Sequence, residues 1–566
     1  MTASSQDSHI RANGNSSHKD EMELINLPSD MNADNEPTGE WQPSGHEKAI
    51  IYTLAFLNLI VSLDATVIVT SLTAIVEDIG GTTTQAFWIG TSYLLVNAVS
   101  MPTISSISDV VGRPLCLTIS IALFTIGTIL CCTTHGIAVM LVGRSIQGVG
   151  GGGIHIISLV TQTDFIPLRW RPKWYGITLA AWAVGLSIGP IVGGAIAQRT
   201  TWRWIFYLMF PILGFGLVAV PYLLTLRPKK ATAQEKINRI DWIGLFIFTG
   251  SITSFLIAIS WGGTQHAWDS AATLAPLIIG IIGVIATVVY EAYVAKFPFL
   301  RKELFRDVSS IVAYLAGGLQ GLMLYGTLYY VPFYFLSVKE FNPTDTGVAL
   351  LPNLLGFAIA GIVTGRLVTR FNNFRWAIWI GWFLGCIGVA IYVVWRINDS
   401  KPVWAISLLI GGISHGIILT AQNFATQAMC NPGDEGAAAA MYIFVRQLGI
   451  AIGVGIGATE FQNVLKMKLR WDGLPTEIAD VADTYITTLH GTPDSPFKDA
   501  VYDAYKFGFQ IVFATWLAIS VVILFLTLVF IKHADMDKKL ISEHTLDSKR
   551  MDRHWGKKEV GNGSGV

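Results

Sequence analysis

Stretches of about 20 apolar residues recur along almost the whole chain, separated by short polar connections, and nothing else constrains its fold as strongly. A helix rises about 1.5 Å per residue and the hydrocarbon core of a bilayer is about 30 Å thick, so each stretch can cross it once. Hydrocarbon offers backbone N–H and C=O groups no partner, so runs of this length cross as helices. Fourteen spans are predicted, at 49–72, 87–107, 115–134, 137–159, 175–197, 204–226, 242–262, 271–295, 309–336, 346–368, 376–395, 403–429, 437–460 and 507–531. Charged residues make up 14% of the sequence, against about a quarter in soluble proteins, which argues for lipid as the main solvent.

The expected class is therefore an all-α integral membrane protein. Its predicted parts are a disordered tail (1–47), a six-span bundle (48–228), a linker holding two further spans (229–300), a second six-span bundle (301–531) and a C-terminal tail (532–566). The first tail lacks a basic stretch followed by an apolar core, so it does not read as a signal peptide. With the N-terminus in the cytoplasm, most basic residues fall on cytoplasmic connections, as the positive-inside rule requires. Arg169, Arg171 and Lys173 follow span 4; Arg227, Lys229, Lys230, Lys236 and Arg239 follow span 6; Lys296, Arg301, Lys302 and Arg306 follow span 8. The turns after spans 1, 3 and 7 hold no Lys or Arg. The connection 461–506 is expected to be a large outer loop. Asn398 heads a glycosylation sequon on another outer loop.

The formal net charge is zero, so no global field argues for nucleic acid as a partner. The expected partners are a small-molecule substrate and the bilayer, with a monomeric chain. The five cysteines show no metal-ligand spacing, and no cofactor is expected. Gly148, Gly150 and Gly153 match a dinucleotide-binding pattern, and Gly185–Gly189 and Gly412–Gly416 match the nucleophile-elbow string. All lie inside apolar spans, without the strands those motifs need, so helix contact explains them better. No nucleophilic cluster lies on the loops, and an enzyme is not expected.

A few polar residues interrupt the spans. Asp64 lies deep in the first; an ionisable group there is costly to insert and either faces a cavity, where it suits a proton carrier, or pairs structurally with Arg or Lys. Arg144 lies in the fourth, followed at helical spacing by Gln147, Gly148, Gly151 and His155. It suits either a role beside a neighbouring acid or a lock on backbone carbonyls. Gly185, Gly189 and Gly193 recur every four residues with Pro190 beside them, a smooth face for close helix approach, whether rocking or static. Between spans 2 and 3, a tight loop at 105–114 carries Asp109, Gly112 and Arg113, a charge latch or an ordinary solvated turn; 365–374 echoes it weakly. Arg446 interrupts span 13, Gln422 and Asn423 lie in span 12, and Glu291 sits near a membrane edge where it can snorkel to water.

Taken together, these motifs resemble the major facilitator superfamily, and within it the fungal fourteen-helix drug/proton antiporters, over residues 48–532. Residues 106–114 resemble the signature between helices 2 and 3, with Ser105 where Gly is usual and Val110 where a basic residue is usual. Arg144–Gly148 resembles the helix-4 motif linked to proton transfer, and Gly185–Gly194 the antiporter motif of helix 5. Leu63–Thr66 resembles the acidic motif of helix 1, and Trp202–Phe206 the segment leading into helix 6. The resemblance implies two six-helix bundles with two extra central helices. It implies proton-coupled efflux of an amphipathic organic compound, a fungal secondary metabolite, toxin or drug, energised by a proton gradient. Asp64 and Arg144 would couple the proton; Asp109, Gly112, Arg113, Gly185, Gly189, Pro190 and Gly193 would serve conformational change. Gln147, His155, Gln422, Asn423 and Arg446 are cavity candidates. The expected location is the plasma membrane, or a vacuolar or vesicle membrane. A siderophore, nutrient or amino-acid transporter on the same fold remains an alternative.

Overall fold

The computed structural model describes residues 41–68, 70–80, 83–227, 233–262, 265–396, 399–538 and 545–546. Fourteen helices among them are long and apolar enough to cross a membrane. They are α1 (Gly45–Val67), α2 (Trp88–Val111), α3 (Arg113–Thr133), α4 (Ile137–Phe165), α5 (Leu168–Arg199), α6 (Trp204–Leu223) and α7 (Trp242–Trp261). The others are α8 (Ala271–Tyr293), α9 (Val308–Ser337), α10 (Thr344–Phe371), α11 (Arg375–Val393), α12 (Lys401–Met429), α13 (Glu435–Trp471) and α14 (Pro496–Phe530). Asn398, the sequon residue, lies outside the described residues, as do Lys229 and Lys230.

Helix pairing repeats with a shift of eight. In the first half α1 packs on α5, α4 on both α2 and α3, and α3 on α6; in the second, α9 packs on α13, α12 on both α10 and α11, and α11 on α14. Two six-helix bundles related in this way are the parallel-repeat plan of many secondary transporters. The bundles meet along two seams, α5 against α10 and α2 against α13. The extra helices form a hairpin, in which Ser254 of α7 donates to the Pro276 carbonyl of α8 at 2.8 Å. α7 packs against both α2 and α13, and its Phe248 meets Phe444 edge-on at 5.3 Å. The outward faces are apolar: Val218, Phe246 and Phe525 are 75%, 83% and 64% exposed. Such a surface suits lipid.

Several local expectations need correction. No tight loop separates α2 from α3; the helices run to Val111 and from Arg113, and Gly112 alone turns the chain, at φ 120°. That backbone is open to glycine and strained for other residues. At the corresponding turn between α10 and α11, Asn372 takes the left-handed conformation at φ 49°. The predicted outer loop 461–506 is largely helical. α13 continues to Trp471, short helices follow at Thr476–Val481 and Ala482–Gly491, and α14 starts at Pro496. Polar residues had hidden these extensions, which reach beyond hydrocarbon depth. The sixth span is interrupted, Trp204–Tyr207 then Phe210–Leu223, with Pro211 in the first turn of the second piece. Glu291 does not reach water: it is 4% exposed and accepts the Leu300 N–H at 3.2 Å.

Candidate functional site

The glycine face of α5 is what brings Asp64 to its place. A Cβ on Gly185 would lie 2.0 Å from Ser62 Oγ, one on Gly189 2.0 Å from Thr66 Oγ1, and one on Gly193 2.1 Å from the Val67 carbonyl oxygen. Only glycine permits this approach of α5 to α1. Thr70 donates to the Pro190 carbonyl at 2.9 Å, and Ser71 to the Gly193 carbonyl at 2.9 Å. Ser62 and Thr66 thus face α5 while Asp64, between them, turns to α4.

There Asp64 is fully buried, and its Oδ2 accepts from Arg144 Nη1 at 2.7 Å. Asp64 Oδ1 has no hydrogen-bond partner. Arg144 has other ties. Nε donates to the Ile89 carbonyl at 3.1 Å, Nη1 to Gln147 Oε1 at 2.8 Å, and the guanidinium lies 4.4 Å from the Tyr93 ring centroid. Gln147 in turn donates to Thr128 Oγ1 on α3 at 2.8 Å. Gly148 and Gly151 let α4 close on Tyr93 and Asn97 of α2. Asp64, Arg144 and Gln147 are therefore one cluster across α1, α2, α3 and α4.

His155 does not belong to it. Three turns further along α4, it meets Trp182 of α5 edge-on at 6.3 Å. It lines a second site between the two halves with Asn58, Tyr175, Trp182 and Arg446. That cavity is closed to about 10 Å³, room for no more than a water molecule. Arg446 is 1% exposed, donates from Nε to Gln320 Oε1 at 3.0 Å, and lies 5.0 Å from the Trp182 ring centroid. Gln422 and Asn423 are fully buried on α12; both side-chain polar atoms of Gln422 and the Asn423 Nδ2 lack partners. Asn423 Oδ1 accepts from Gln427 at 3.2 Å. A roomier cleft of about 610 Å³ lies beside the α2–α13 seam, lined in part by Asp109, Lys296, Arg301 and Asp434. It lies outside the closed centre, and Arg301 and Asp434 there pair with each other.

The remaining candidates gather at the end of the bundle where α1 begins and α14 ends. Arg113 pairs with Asp109 at 2.5 Å and with Asp164, at the end of α4, at 3.1 Å. Asp164 carries no signal of its own in the sequence, because the apolar run of the fourth span ends at residue 159. Six residues after the end of α4, at the start of α5, Arg171 donates to the Ile166 and Thr163 carbonyls at 2.7 and 2.8 Å, and to Gln427 Oε1 of the other half at 3.0 Å. Tyr93, Tyr175, Trp182 and Gln320 also escaped sequence reasoning, since aromatic and amide residues in apolar spans carry no signal of their facing.

The halves also touch at the opposite end, where Gly347 packs against Ile191 and Thr344 bonds Gln198 at 3.4 Å. Among the described residues the halves thus touch at both ends of the bundle. There too Asp78 accepts from Trp202 Nε1 at 3.0 Å and from Arg203 at 2.7 Å, and Arg203 donates to the Thr134 carbonyl at 3.0 Å. This clamp joins three interhelical connections, and its two hydrogen bonds hold the Asp78 carboxyl below its ordinary range.

Comparison with known proteins agrees with this architecture. The "MFS transporter L2" of Phoma sp. is 36% identical over 531 residues, covering 92% of this chain and 88% of that protein. "Efflux pump FUS6" of Gibberella moniliformis is 31% identical over 491 residues, covering 84% and 87%. The crystal structure of the human organic anion transporter MFSD10 (TETRAN) shares the fold, with a TM-score of 0.53 at 15% identity over 86% of this chain and 100% of that one. The family model of the Major Facilitator Superfamily matches residues 54–454. With its paired six-helix halves and fourteen spanning helices, the chain belongs to the Major Facilitator Superfamily and is a multi-pass membrane transporter.

Proposed function

We propose that the protein is a proton-coupled efflux transporter that exports an amphipathic organic compound, a fungal secondary metabolite or drug, by alternating access. The efflux pumps among its fungal relatives support the direction of transport. The observation that carries proton coupling is the unpartnered Oδ1 of Asp64 beside an Arg144 that is tied elsewhere. A proton on Asp64 neutralises the acid, while Arg144 keeps the Ile89 carbonyl, Gln147 and the Tyr93 ring. The site therefore tolerates both protonation states without leaving a bare guanidinium, which a purely structural ion pair would do. Alternating exposure of Asp64 to the two sides of the membrane then couples proton entry to substrate exit, with binding of each disfavouring the other. The proton gradient supplies the energy, and the plasma membrane is the location we expect.

Asp64→Asn mimics the protonated acid permanently. In vesicles with an imposed pH gradient it is expected to lose uphill transport and to keep downhill exchange. Uphill transport by this variant at near the wild-type rate would place the proton elsewhere.

A further inference from the structure

Among the described residues four arginines are deeply buried, and one of them has a free end. Arg113 holds two carboxylates and Arg144 holds one. Arg171 uses all three of its nitrogens on two carbonyls and Gln427. Arg446 makes one hydrogen bond, through Nε to Gln320, and its Nη2 has no partner. Among the described residues no carboxylate stands within ion-pair distance of it, and the charged or titratable groups that face it are the phenols Tyr175, Tyr325 and Tyr442 and the imidazoles His155 and His415. A guanidinium cannot shed its proton to escape this environment.

We propose that Arg446 is the counter-charge for an acidic group on the exported compound, so that the substrates of this transporter are amphipathic organic acids. The proposal rests on the efflux reading above and names the substrate class for the same central site. A buried charge without a partner is among the costliest features a fold can hold. Here the cost is offset only by one amide and by the Trp182 ring, and Trp182 belongs to the opposite half. When the halves part, Trp182 leaves with α5 and Arg446 is uncovered towards the opening. An organic anion entering then finds a guanidinium edge with its hydrogen-bond donors free, which suits a planar carboxylate. Beside the polar Asn58, His155 and Thr178, the wall carries Leu179, Tyr175, Trp182, Leu419 and Ile443, and that apolar and aromatic share suits the body of such a molecule. The two halves therefore divide the charges: the first holds a matched acid and base, and the second holds a base whose match arrives with the cargo.

The test uses the full chain in lipid nanodiscs and three probes of one shape: anthracene carboxylate, anthracene carboxamide and anthracenylmethylammonium. Equilibrium binding is read by quenching of tryptophan fluorescence, with stabilisation against heat as a second readout. The wild type is expected to bind the carboxylate at least about tenfold tighter than the amide, and the ammonium weakest. Arg446→Gln should bring the carboxylate-to-amide ratio close to one. Arg446→Lys should keep part of the preference, because it keeps the charge and loses the fork. Equal binding of carboxylate and amide by the wild type, absence of carboxylate binding, or full preference surviving in Arg446→Gln would each overturn the proposal. Should Arg446→Gln fail to fold, the wild-type ratio and its reduction in Arg446→Lys decide. No gradient is involved, so a protein that selects the carboxylate but ignores a pH gradient in vesicles would sink proton coupling and leave the acid site standing.

Discussion

Arg171 of α5 donates to Gln427 of α12 at 3.0 Å, and the two residues belong to opposite halves of the molecule. Both are buried, at 3% and 0% exposure. The contact exists only while the halves are together at the end where α1 begins and α14 ends, so its energy biases one conformational state and not the fold of either half.

Gln427→Leu should therefore loosen that end. Leaving a buried guanidinium nitrogen unpaired costs about 1–3 kcal/mol, enough to shift the balance of states by about tenfold. Maleimide labelling of a cysteine introduced at Thr364, itself 3% exposed, should speed up in a background without native cysteines. Unchanged labelling would mean that other contacts hold this end closed.

The glycine face on α5 makes a sharper distinction. Gly189→Ala places a methyl group against the Thr66 side chain, so Thr66→Gly in the same protein should restore much of the lost stability and transport. Gly193→Ala meets the Val67 backbone carbonyl, and no side-chain change can relieve it. Overpacking of this kind costs about 1–3 kcal/mol. Thermal unfolding in detergent with vesicle transport reads both; rescue of both variants by Thr66→Gly would refute the distinction.

The two acids around Arg113 should differ in weight. Asp109 is 46% exposed and Asp164 9%. An exposed pair contributes about 0–1 kcal/mol, and breaking a buried one costs about 3–5 kcal/mol. Asp109→Asn is expected to keep the fold and change transport modestly, whereas Asp164→Asn should lower thermal stability clearly. The reverse order would show that Arg113 depends on its exposed partner.

The Asp78 clamp predicts a pH dependence. Its carboxyl is held below the ordinary value of 3.8, first by the hydrogen bond from Arg203 and then by that from Trp202. A depressed acid contributes stability that is present above its unfolded value and is lost as pH falls through the folded one. Wild type and Asp78→Asn should thus differ in melting temperature at neutral pH and converge only below the ordinary carboxylate range. Convergence already near pH 6, by differential scanning fluorimetry, would contradict the sign.

Helix count and the sites on α1, α4 and α5 were legible because an isolated charge or a run of glycines is conspicuous in an apolar span. Asp64 and Arg144 are expected to border one cavity, but the contact between Oδ2 and Nη1 has no signal in the sequence, since 80 residues separate them and packing of α1 on α5 turns Asp64 to α4. Hydropathy understates length where helices leave the bilayer: α13 and α14 go on through polar residues. For the same reason Asp164 was lost beyond the predicted end of α4. The want of an acid beside Arg446 was invisible for a different reason, because a missing partner has no residue to mark it.

The α7–α8 hairpin has a consequence in the plane of the bilayer. Two seams join the halves, and a simple pair of repeats would present them to lipid on equal terms. Phe248, Thr249 and Gly262 fasten the hairpin to α2 and α13, so one seam is roofed while, among the described residues, that of α5 and α10 is flanked by the halves alone. Viewed from either side of the membrane, the transporter has a front and a back, and a solute dissolved in the acyl chains does not meet the same wall from every direction.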